Sequence, residues 1–367
     1  MAVRSARARP GLFGLVAALV AAGAMLAQAP VGAQSPKPVP PAVAVAWPQV
    51  KRATVPGTLP DGAVYTPVYF LDERASIGTA LDPRGGGVRL VRRAADGTVG
   101  ELRRPPGGTA GRWYGGFTRA GDDLVWAESS TAKDGTTRTE LWRAALAGGA
   151  PRRITGDTGW VTFASSEHDI VAEAGRLYWT ATAPGQRGAT EVRSVALDGS
   201  QPRVDTRPGA WALTTWPWLV STGSSQRGPM RLHNLGTGET TTVDAGDDTP
   251  DQCGPKWCRV FVLHGDDPVR SDLIRPDGAD RQTVADDGET AAIADVAVLD
   301  RFEVLAGDSS TLATAVGGAR LLIYDLKTRA LVSVSEAASR VSYRGGVLWW
   351  STSGGNTTWH TLDLRTA

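Results

Sequence analysis

Residues 120–155 contain Ala120-Gly121-Asp122-Asp123-Leu124-Val125-Trp126, a polar loop, Glu140-Leu141-Trp142, Gly148-Gly149 and Pro151-Arg152-Arg153-Ile154-Thr155. A tight turn precedes a short apolar strand, and a second strand ends at a Gly-Gly pair. Such a pair permits the positive φ that hairpin turns require. A short polar strand follows. We therefore expect a unit of four strands, a to d from the inside outwards, in which the turn joins strands a and b.

The apolar strand of this unit recurs along the chain. It is found at Val68-Tyr69-Phe70, Leu124-Val125-Trp126, Leu177-Tyr178-Trp179, Trp218-Leu219-Val220, Arg259-Val260-Phe261, Phe302-Glu303-Val304 and Val347-Leu348-Trp349. Counted from residues 68, 124, 177, 219, 260, 302 and 347, the intervals are 56, 53, 42, 41, 42 and 45 residues. This period is close to the roughly 40–50 residues of a propeller blade. We predict an all-β fold, a β-propeller of seven four-stranded blades, with six or eight blades as alternatives.

The two ends of the repeat region suggest how the ring closes. The last unit stops after its third strand, residues 358–364, while residues 50–55 resemble the polar fourth strands of other units. We expect residues 50–55 to pair with the last unit, because this would cover an exposed sheet edge.

The amino-terminal residues indicate export. Three arginines precede an apolar run over residues 11–26, and the small residues Val31-Gly32-Ala33 follow. This is the pattern of a secretory signal peptide, here residues 1–33, with an uncleaved anchor as the alternative. The run is shorter than the about 20 residues of a membrane span. Residues 34–48 are rich in proline and are predicted to be an extended tether. Residues 49–367 are then a single propeller domain.

Residues 140–155 resemble the blades of TolB-like, WD40-like bacterial propellers, and the resemblance extends from about residue 50 to the end. The Ser-Pro-Asp-Gly element usual in that family is missing, as is the α/β domain that TolB carries before its propeller. Propellers of this kind are often binding scaffolds in the cell envelope, and the resemblance implies such a role.

The two cysteines lie in Cys253-Gly254-Pro255-Lys256-Trp257-Cys258. By register, the Gly-Pro-Lys segment is the turn between strands a and b, so the two cysteines face each other. In an oxidising compartment two facing thiols should join. A redox pair normally has two intervening residues rather than four, and a metal site would need further Cys or His ligands. We predict a structural disulfide between Cys253 and Cys258.

Two groups of histidine and carboxylate side chains are candidates for metal binding or acid–base catalysis. Glu167 and His168 fall in a predicted connection between blades, whereas His264 and Asp266 fall in a loop between strands b and c. These two kinds of loop lie on the same face of a propeller, around the mouth of the channel. The four residues could hold a metal ion or act as general acid and base. The alternative is that solvated loops simply contain such residues.

The tryptophans are candidates for binding as well as for packing. Five at strand positions are predicted to pack between blades: Trp126, Trp142, Trp179, Trp218 and Trp349. Three others, Trp160, Trp211 and Trp216, lie nearer strand ends and could form an exposed stacking surface.

The function predicted from these observations is that of a secreted, non-catalytic β-propeller. It would bind a protein or peptide in the bacterial envelope or outside the cell, as a monomer and without a cofactor. The net charge is +1 and basic residues form no stripe, so neither nucleic acid nor a membrane is a predicted partner. No catalytic or nucleotide-binding motif is present. The alternatives are a metal-dependent hydrolase or lyase with its site at the channel mouth, and a cell-wall glycan-binding module.

Overall fold

The computed structural model describes residues 39–82, 87–104, 112–132, 134–222, 229–265, 267–286, 289–307, 318–352 and 358–367. The predicted signal peptide and Asp266 lie outside these ranges. Within them, no helix has both the length and the apolar character needed to cross a membrane.

The first half of the chain contains one short helix and fourteen of the described strands. In chain order these are α1 (Val43–Ala46), β1 (Lys51–Pro56), β2 (Tyr65–Phe70), β3 (Ser76–Leu81), β4 (Val88–Arg93), β5 (Val99–Arg103), β6 (Trp113–Ala120), β7 (Asp123–Thr131), β8 (Thr137–Ala145), β9 (Arg152–Thr155), β10 (Trp160–Val161), β11 (Val171–Glu173), β12 (Arg176–Thr182), β13 (Ala189–Ala196) and β14 (Arg203–Pro208).

The second half continues the alternation of short strands and turns. It contains β15 (Trp211–Leu213), β16 (Trp218–Ser221), β17 (Arg231–Asn234), β18 (Thr240–Thr242), β19 (Thr249–Cys253), β20 (Cys258–His264), β21 (Asp267–Ile274), β22 (Gln282–Asp286), β23 (Thr290–Ala291), β24 (Phe302–Gly307), β25 (Ala319–Asp325), β26 (Ala330–Arg344), β27 (Val347–Ser351), β28 (Thr358–Asp363) and a final 3₁₀ turn (Leu364–Thr366).

The strands pair with their chain neighbours in antiparallel sheets. Four sheets have four strands each: β2–β5, β6–β9, β15–β18 and β19–β22. In a fifth sheet two short segments, β10 and β11, both pair with β12 and together form strand a. In the remaining sheet the long β26 is the outer strand of one blade and the inner strand of the next. The described strands therefore form seven four-stranded blades, which confirms the predicted propeller.

The core of the protein lies between the blades. Seven clusters of buried apolar side chains are present among the described residues, and each joins two neighbouring blades. The cluster that contains Tyr65 and Phe70 of blade 1 also contains Trp349 and Trp359 of blade 7. Because the seventh blade packs on the first, the ring is closed. The five tryptophans predicted to pack between blades all contact these clusters.

The ring closure follows the prediction from the chain ends. Strand β1 pairs with β28 in six successive antiparallel pairs, from Lys51 opposite Asp363 to Pro56 opposite Thr358. It thereby supplies the outer strand of blade 7.

The segment before β1 is packed where the structure describes it. Val43 and Trp47 are buried in the cluster between blades 6 and 7. The Trp47 ring lies 5.3 Å from that of Phe302, and its Nε1 donates to Asp325 at 3.3 Å. The compact unit begins at residue 40 rather than at residue 49. The apolar side chains in this proline-rich stretch are the physical reason.

One predicted strand position is wrong. Residues 68–70 were aligned with the b strands of the other units, but they lie in β2, which is strand a of blade 1. Strand b of this blade is β3, whose Ser76 pairs with Phe70 across the turn. Both strands are largely buried and apolar, so the sequence pattern does not distinguish them.

The predicted disulfide is confirmed. Cys253 ends β19 and Cys258 begins β20, and their sulfurs are 2.05 Å apart. Both cysteines are completely buried in the cluster between blades 4 and 5. The bond therefore joins strands a and b of blade 5 next to an interface between blades.

Replacing both Cys253 and Cys258 by alanine should lower the free energy of unfolding by roughly 2 kcal/mol, since a loop this short gains little entropy when it opens. Chemical denaturation of the wild type and the double variant measures the difference. A thiol assay on unfolded, unreduced wild-type protein should detect no free thiol. Detection of two thiols would show that the bond does not form.

Candidate functional site

The innermost strand of blade 3 is interrupted. Residues 162–170, here the blade 3 loop, lie between β10 and β11; Thr162 still donates its N–H to Thr180 of β12, and the chain then leaves the sheet. Ser165 has a φ of 62°, a conformation that does not continue a strand. Gly116 of β6, with a φ of +57°, lies under this loop; a Cβ at that position would be 2.7 Å from the Ile170 side chain. The glycine therefore allows the close approach of the loop to blade 2.

A second interruption faces the first from blade 6. Ala292 still donates its N–H to Val304, and Val298 forms a bridge with Phe302, but residues 293–297, the blade 6 loop, leave the sheet. Its Asp295 accepts hydrogen bonds from the Ser166 hydroxyl and from the backbone N–H of Glu167, the latter at 3.0 Å. The two loops thus meet inside the ring.

Arg344 of blade 7 holds the blade 3 loop in place. Its guanidinium donates to the backbone oxygen of Ser166 at 2.8 Å and to that of Phe117 at 3.3 Å. It also lies 3.6 Å from the carboxylate of Asp169. The neighbouring Gly345 N–H donates to Glu167 at 3.1 Å. Blades 2, 3 and 7 are joined at this point.

Arg259 of blade 5 supports the blade 6 loop from behind. It donates to the Glu303 carboxylate at 2.6 Å, to Asp251 at 3.0 Å and to the backbone oxygen of Asp295 at 3.0 Å. Arg259 and Glu303 are both buried, and Glu303 also accepts the Ala297 N–H at 2.7 Å. Burial raises the pKa of Glu303, and the adjacent guanidinium opposes this effect.

The titratable groups at the meeting point have shifted pKa values. Burial and the neighbouring Asp295 carboxylate raise the pKa of Glu167 to about 7, although the Gly345 N–H and Arg344 favour its charged form. Burial also lowers the pKa of His168 and raises that of Asp169. Near neutral pH, Glu167 can therefore gain or lose a proton while His168 is mostly uncharged.

The two loops divide the central channel into two cavities, which share one lining residue, Asp295. The narrow cavity, about 230 Å³, contains Glu167 and His168 and reaches the turns between strands a and b of blades 4, 5 and 6. The wide cavity, about 540 Å³, lies among the inner strands of blades 1, 2, 3, 6 and 7. Its aromatic walls include Trp113 and Phe163.

The four predicted site residues do not form one group. Glu167 and His168 lie in the channel, because their segment interrupts strand a instead of connecting two blades as predicted. His264 ends β20 at an exposed hairpin and lines neither cavity. Asp266 lies outside the described residues. Over the described ranges, no three His, Cys, Asp or Glu side chains are arranged to hold a metal ion.

The predicted tryptophan surface is also only partly present. Trp160 is 80% exposed, but Trp211 is buried and the Trp216 ring packs on Tyr178 with centroids 3.9 Å apart. Trp113, which is 47% exposed and lines the wide cavity, was not predicted as a site residue. Neither was Asp295, whose only signal is a carboxylate in the apolar segment Ala-Ile-Ala-Asp-Val-Ala.

Replacing Glu167 by glutamine should make the unfolding free energy less dependent on pH. The folded wild type holds a proton at Glu167 that the unfolded chain has lost between pH 4.5 and about 7, so wild-type stability falls as pH rises through this range. The variant has no carboxyl at this position and lacks this loss. The unfolding free energy of the variant minus that of the wild type should therefore be roughly 2–3 kcal/mol larger at pH 8 than at pH 4.5. Denaturant titrations at both pH values measure this. The exposed Glu173→Gln is the control, and a difference that does not change with pH would contradict the assignment.

No protein-family model matches this chain, and no curated protein matches it either. Solved structures do match. The puromycin-hydrolyzing peptidase of Mycobacterium tuberculosis is 15% identical with a TM-score of 0.51, and the match covers 81% of this chain and 52% of that one. The β-propeller domain of the Trilobed protease from Pyrococcus furiosus is 8% identical (TM-score 0.42; 65% and 78% covered). Dipeptidyl peptidase 4 of Porphyromonas gingivalis is 9% identical with a TM-score of 0.46, and the match covers 79% of this chain and 50% of that one.

These comparisons contradict the predicted non-catalytic binding module. That prediction rested on missing catalytic motifs, yet the puromycin-hydrolyzing peptidase to which this chain is similar is an enzyme. The chain spans about half the length of the puromycin-hydrolyzing peptidase, so much of that enzyme lies outside the shared region. Missing motifs within a propeller therefore do not indicate a non-catalytic role. At these identities the likeness itself concerns the fold alone.

Proposed function

We propose that this chain is a peptidase-related propeller that holds a peptide substrate in its central channel while a hydrolytic site outside the propeller cleaves the bond. The observation that carries the proposal is the meeting of the two interrupted inner strands, Ser166 and Glu167 against Asp295. The two loops lie between a narrow and a wide cavity inside the ring. Such cavities suit a chain end or a side chain better than a chain that passes through.

The predicted signal peptide and the buried Cys253–Cys258 disulfide support action outside the cytoplasm, where such bonds persist. Peptides in that compartment are the substrates we propose. The reaction class comes from the peptidases that share the fold.

Equilibrium dialysis of the purified chain against a mixture of synthetic tripeptides to hexapeptides, read by mass spectrometry, tests the proposal. We expect saturable retention of a subset of peptides. Ala294→Trp, which adds a large side chain in the wide cavity, should abolish retention, whereas Ala279→Trp on an exposed hairpin should not. Absence of retention at millimolar peptide, or equal retention by both variants, would contradict the channel as the site.

The link to hydrolysis needs a second measurement. The secreted proteins of the cells that produce this chain are mixed with the retained peptides, and the rate of peptide cleavage is measured. Addition of the wild-type chain should change this rate, whereas addition of the Ala294→Trp variant should not. An unchanged rate for every retained peptide would contradict the peptidase-related role.

A further inference from the structure

The wide cavity presents an aromatic wall that the fold does not bury. Trp113 begins β6 and is about half exposed, and its ring centroid lies 5.9 Å from that of Phe163. A Cβ on Gly115 would lie 2.3 Å from the Trp113 ring, so the glycine allows the indole to lie across its own strand. The position of Trp113 is therefore fixed by the local backbone. Half-exposed aromatic rings in a concave site are typical of ligand pockets.

One residue that lines the same cavity has a buried hydroxyl without an acceptor. Tyr343 lines the wide cavity and is 4% exposed. Within the described part of the chain its hydroxyl finds no acceptor for its proton, and the nearby Gly346 N–H can only donate to it. Buried hydroxyls are normally paired, and each exception needs an explanation. Burial and the nearby carboxylates of Glu167 and Asp295 raise the pKa of Tyr343. The hydroxyl is therefore protonated and can donate to a ligand.

Two charged groups of the wide cavity, Arg344 and Asp169, neutralise each other, and the third, Asp295, already accepts from the Ser166 hydroxyl and the Glu167 N–H. Arg344 lies 3.6 Å from Asp169 and donates to two backbone oxygens, and the Asp169 carboxylate also accepts the Ala164 N–H at 2.8 Å. The other walls include Phe117, Ile293 and Val341. These walls favour a neutral, apolar group over an ion.

We propose that the wide cavity is a specificity pocket for a large aromatic side chain of a peptide, with Trp113 and Phe163 against the ring and Tyr343 donating to a backbone carbonyl of the same peptide. This inference rests on the proposed function, because it names the substrate class of the same channel. A cavity of about 540 Å³ accommodates such a side chain together with adjacent peptide atoms.

Calorimetric titration with three matched peptides, acetyl-Gly-X-Gly-amide with X as Ala, Leu or Phe, tests the proposal. We expect the Phe peptide to bind wild-type protein at least tenfold more tightly than the Ala peptide. Trp113→Ala should remove this preference. The control Trp160→Ala, which replaces an exposed tryptophan outside the cavity, should retain it.

Tyr343→Phe separates a ligand contact from a structural one. Because the hydroxyl donates to no group in the described part of the free protein, the variant should unfold at a nearly unchanged or higher temperature while its affinity for the Phe peptide falls severalfold. A lower unfolding temperature with unchanged affinity would assign the hydroxyl to the fold and overturn its proposed role.

The remaining outcomes distinguish this inference from the proposed function. Equal affinity for the Ala and Phe peptides would overturn the aromatic pocket and leave peptide binding intact. Binding of none of the three peptides, together with no retention in dialysis, would overturn both. Binding of a cell-wall oligosaccharide that depends on Trp113, without peptide binding, would likewise overturn the inference.

Discussion

A chain that lacks residues 1–56 is expected to unfold with a free energy more than about 5 kcal/mol lower than a chain that lacks only residues 1–38. The longer deletion removes β1, all six of its pairs with β28, and the buried side chains of Val43, Trp47 and Val55. Loss of a buried tryptophan alone typically costs about 3–5 kcal/mol. The deletion also leaves β28 as an exposed sheet edge, which favours aggregation. Denaturant unfolding followed by tryptophan fluorescence measures both truncated chains.

Two point variants test whether packing or pairing causes this loss. Trp47→Ala should cost about 3–5 kcal/mol, because the indole contacts Phe302 and Asp325 in the cluster between blades 6 and 7. Lys51→Ala, at the exposed start of β1, should cost less than about 0.5 kcal/mol. Equal unfolding free energies for the two truncated chains would show that the amino-terminal strand does not close the ring.

Arg259→Met should lower the unfolding free energy by about 3–5 kcal/mol at pH 8. The substitution leaves the completely buried Glu303 carboxylate without its cation, and Asp295 loses the donor to its backbone oxygen. The matched control is Arg153→Met, whose ion pair with Glu140 is exposed and should contribute at most about 1 kcal/mol.

The pH dependence of the Arg259→Met loss tests its cause. Burial already raises the pKa of Glu303 in the wild type, and removal of Arg259 should raise it further. A carboxyl with a raised pKa in the folded state makes the protein less stable as pH rises, so the loss should be smaller at pH 4 than at pH 8. The double variant Arg259→Met, Glu303→Gln should regain part of the lost stability. If the loss is the same at both pH values, an uncompensated charge is not its cause.

The features that were predicted correctly have local or periodic signals. The strands after each tight turn, the hairpin turns such as Asp198-Gly199, the closing strand and the facing cysteines each depend on a few neighbouring residues or on the repeat length. The first blade was misaligned because its a and b strands are both apolar and no glycine marks the turn at residues 71–75.

The candidate site has no such local signal. The interruptions of the inner strands in blades 3 and 6 are stabilised by contacts between residues far apart in the chain, such as the bond from Glu167 to Asp295, 128 positions later. The polar run Glu167-His168-Asp169 before the next apolar strand is typical of a connection between blades, and the sequence analysis places it there. Glu167 and His168 line the narrow cavity from an interrupted strand rather than from a connection between blades, and His264 lies apart from them at the end of β20.

The exposure of Trp113 could not be predicted from the sequence for a different reason. The segment Trp-Tyr-Gly-Gly-Phe predicts a strand, and tryptophans in strands were expected to pack between blades. The exposure of this indole depends on the absence of a side chain at Gly115, two residues later. That relation becomes evident only when the curvature of β6 and the position of the blade 3 loop are known.

Hydrogen–deuterium exchange of the full chain, with and without a saturating concentration of the acetyl-Gly-Phe-Gly-amide peptide, tests most directly whether the interrupted channel is the peptide site. We predict slower exchange at residues 113–117, 162–170, 292–297 and 341–344, which line the wide cavity or form its two loops. The outer strands β5, β9 and β22 should exchange at unchanged rates. Slower exchange confined to the outer strands or the exposed hairpins, with no change at the two loops, would contradict a peptide site in the channel.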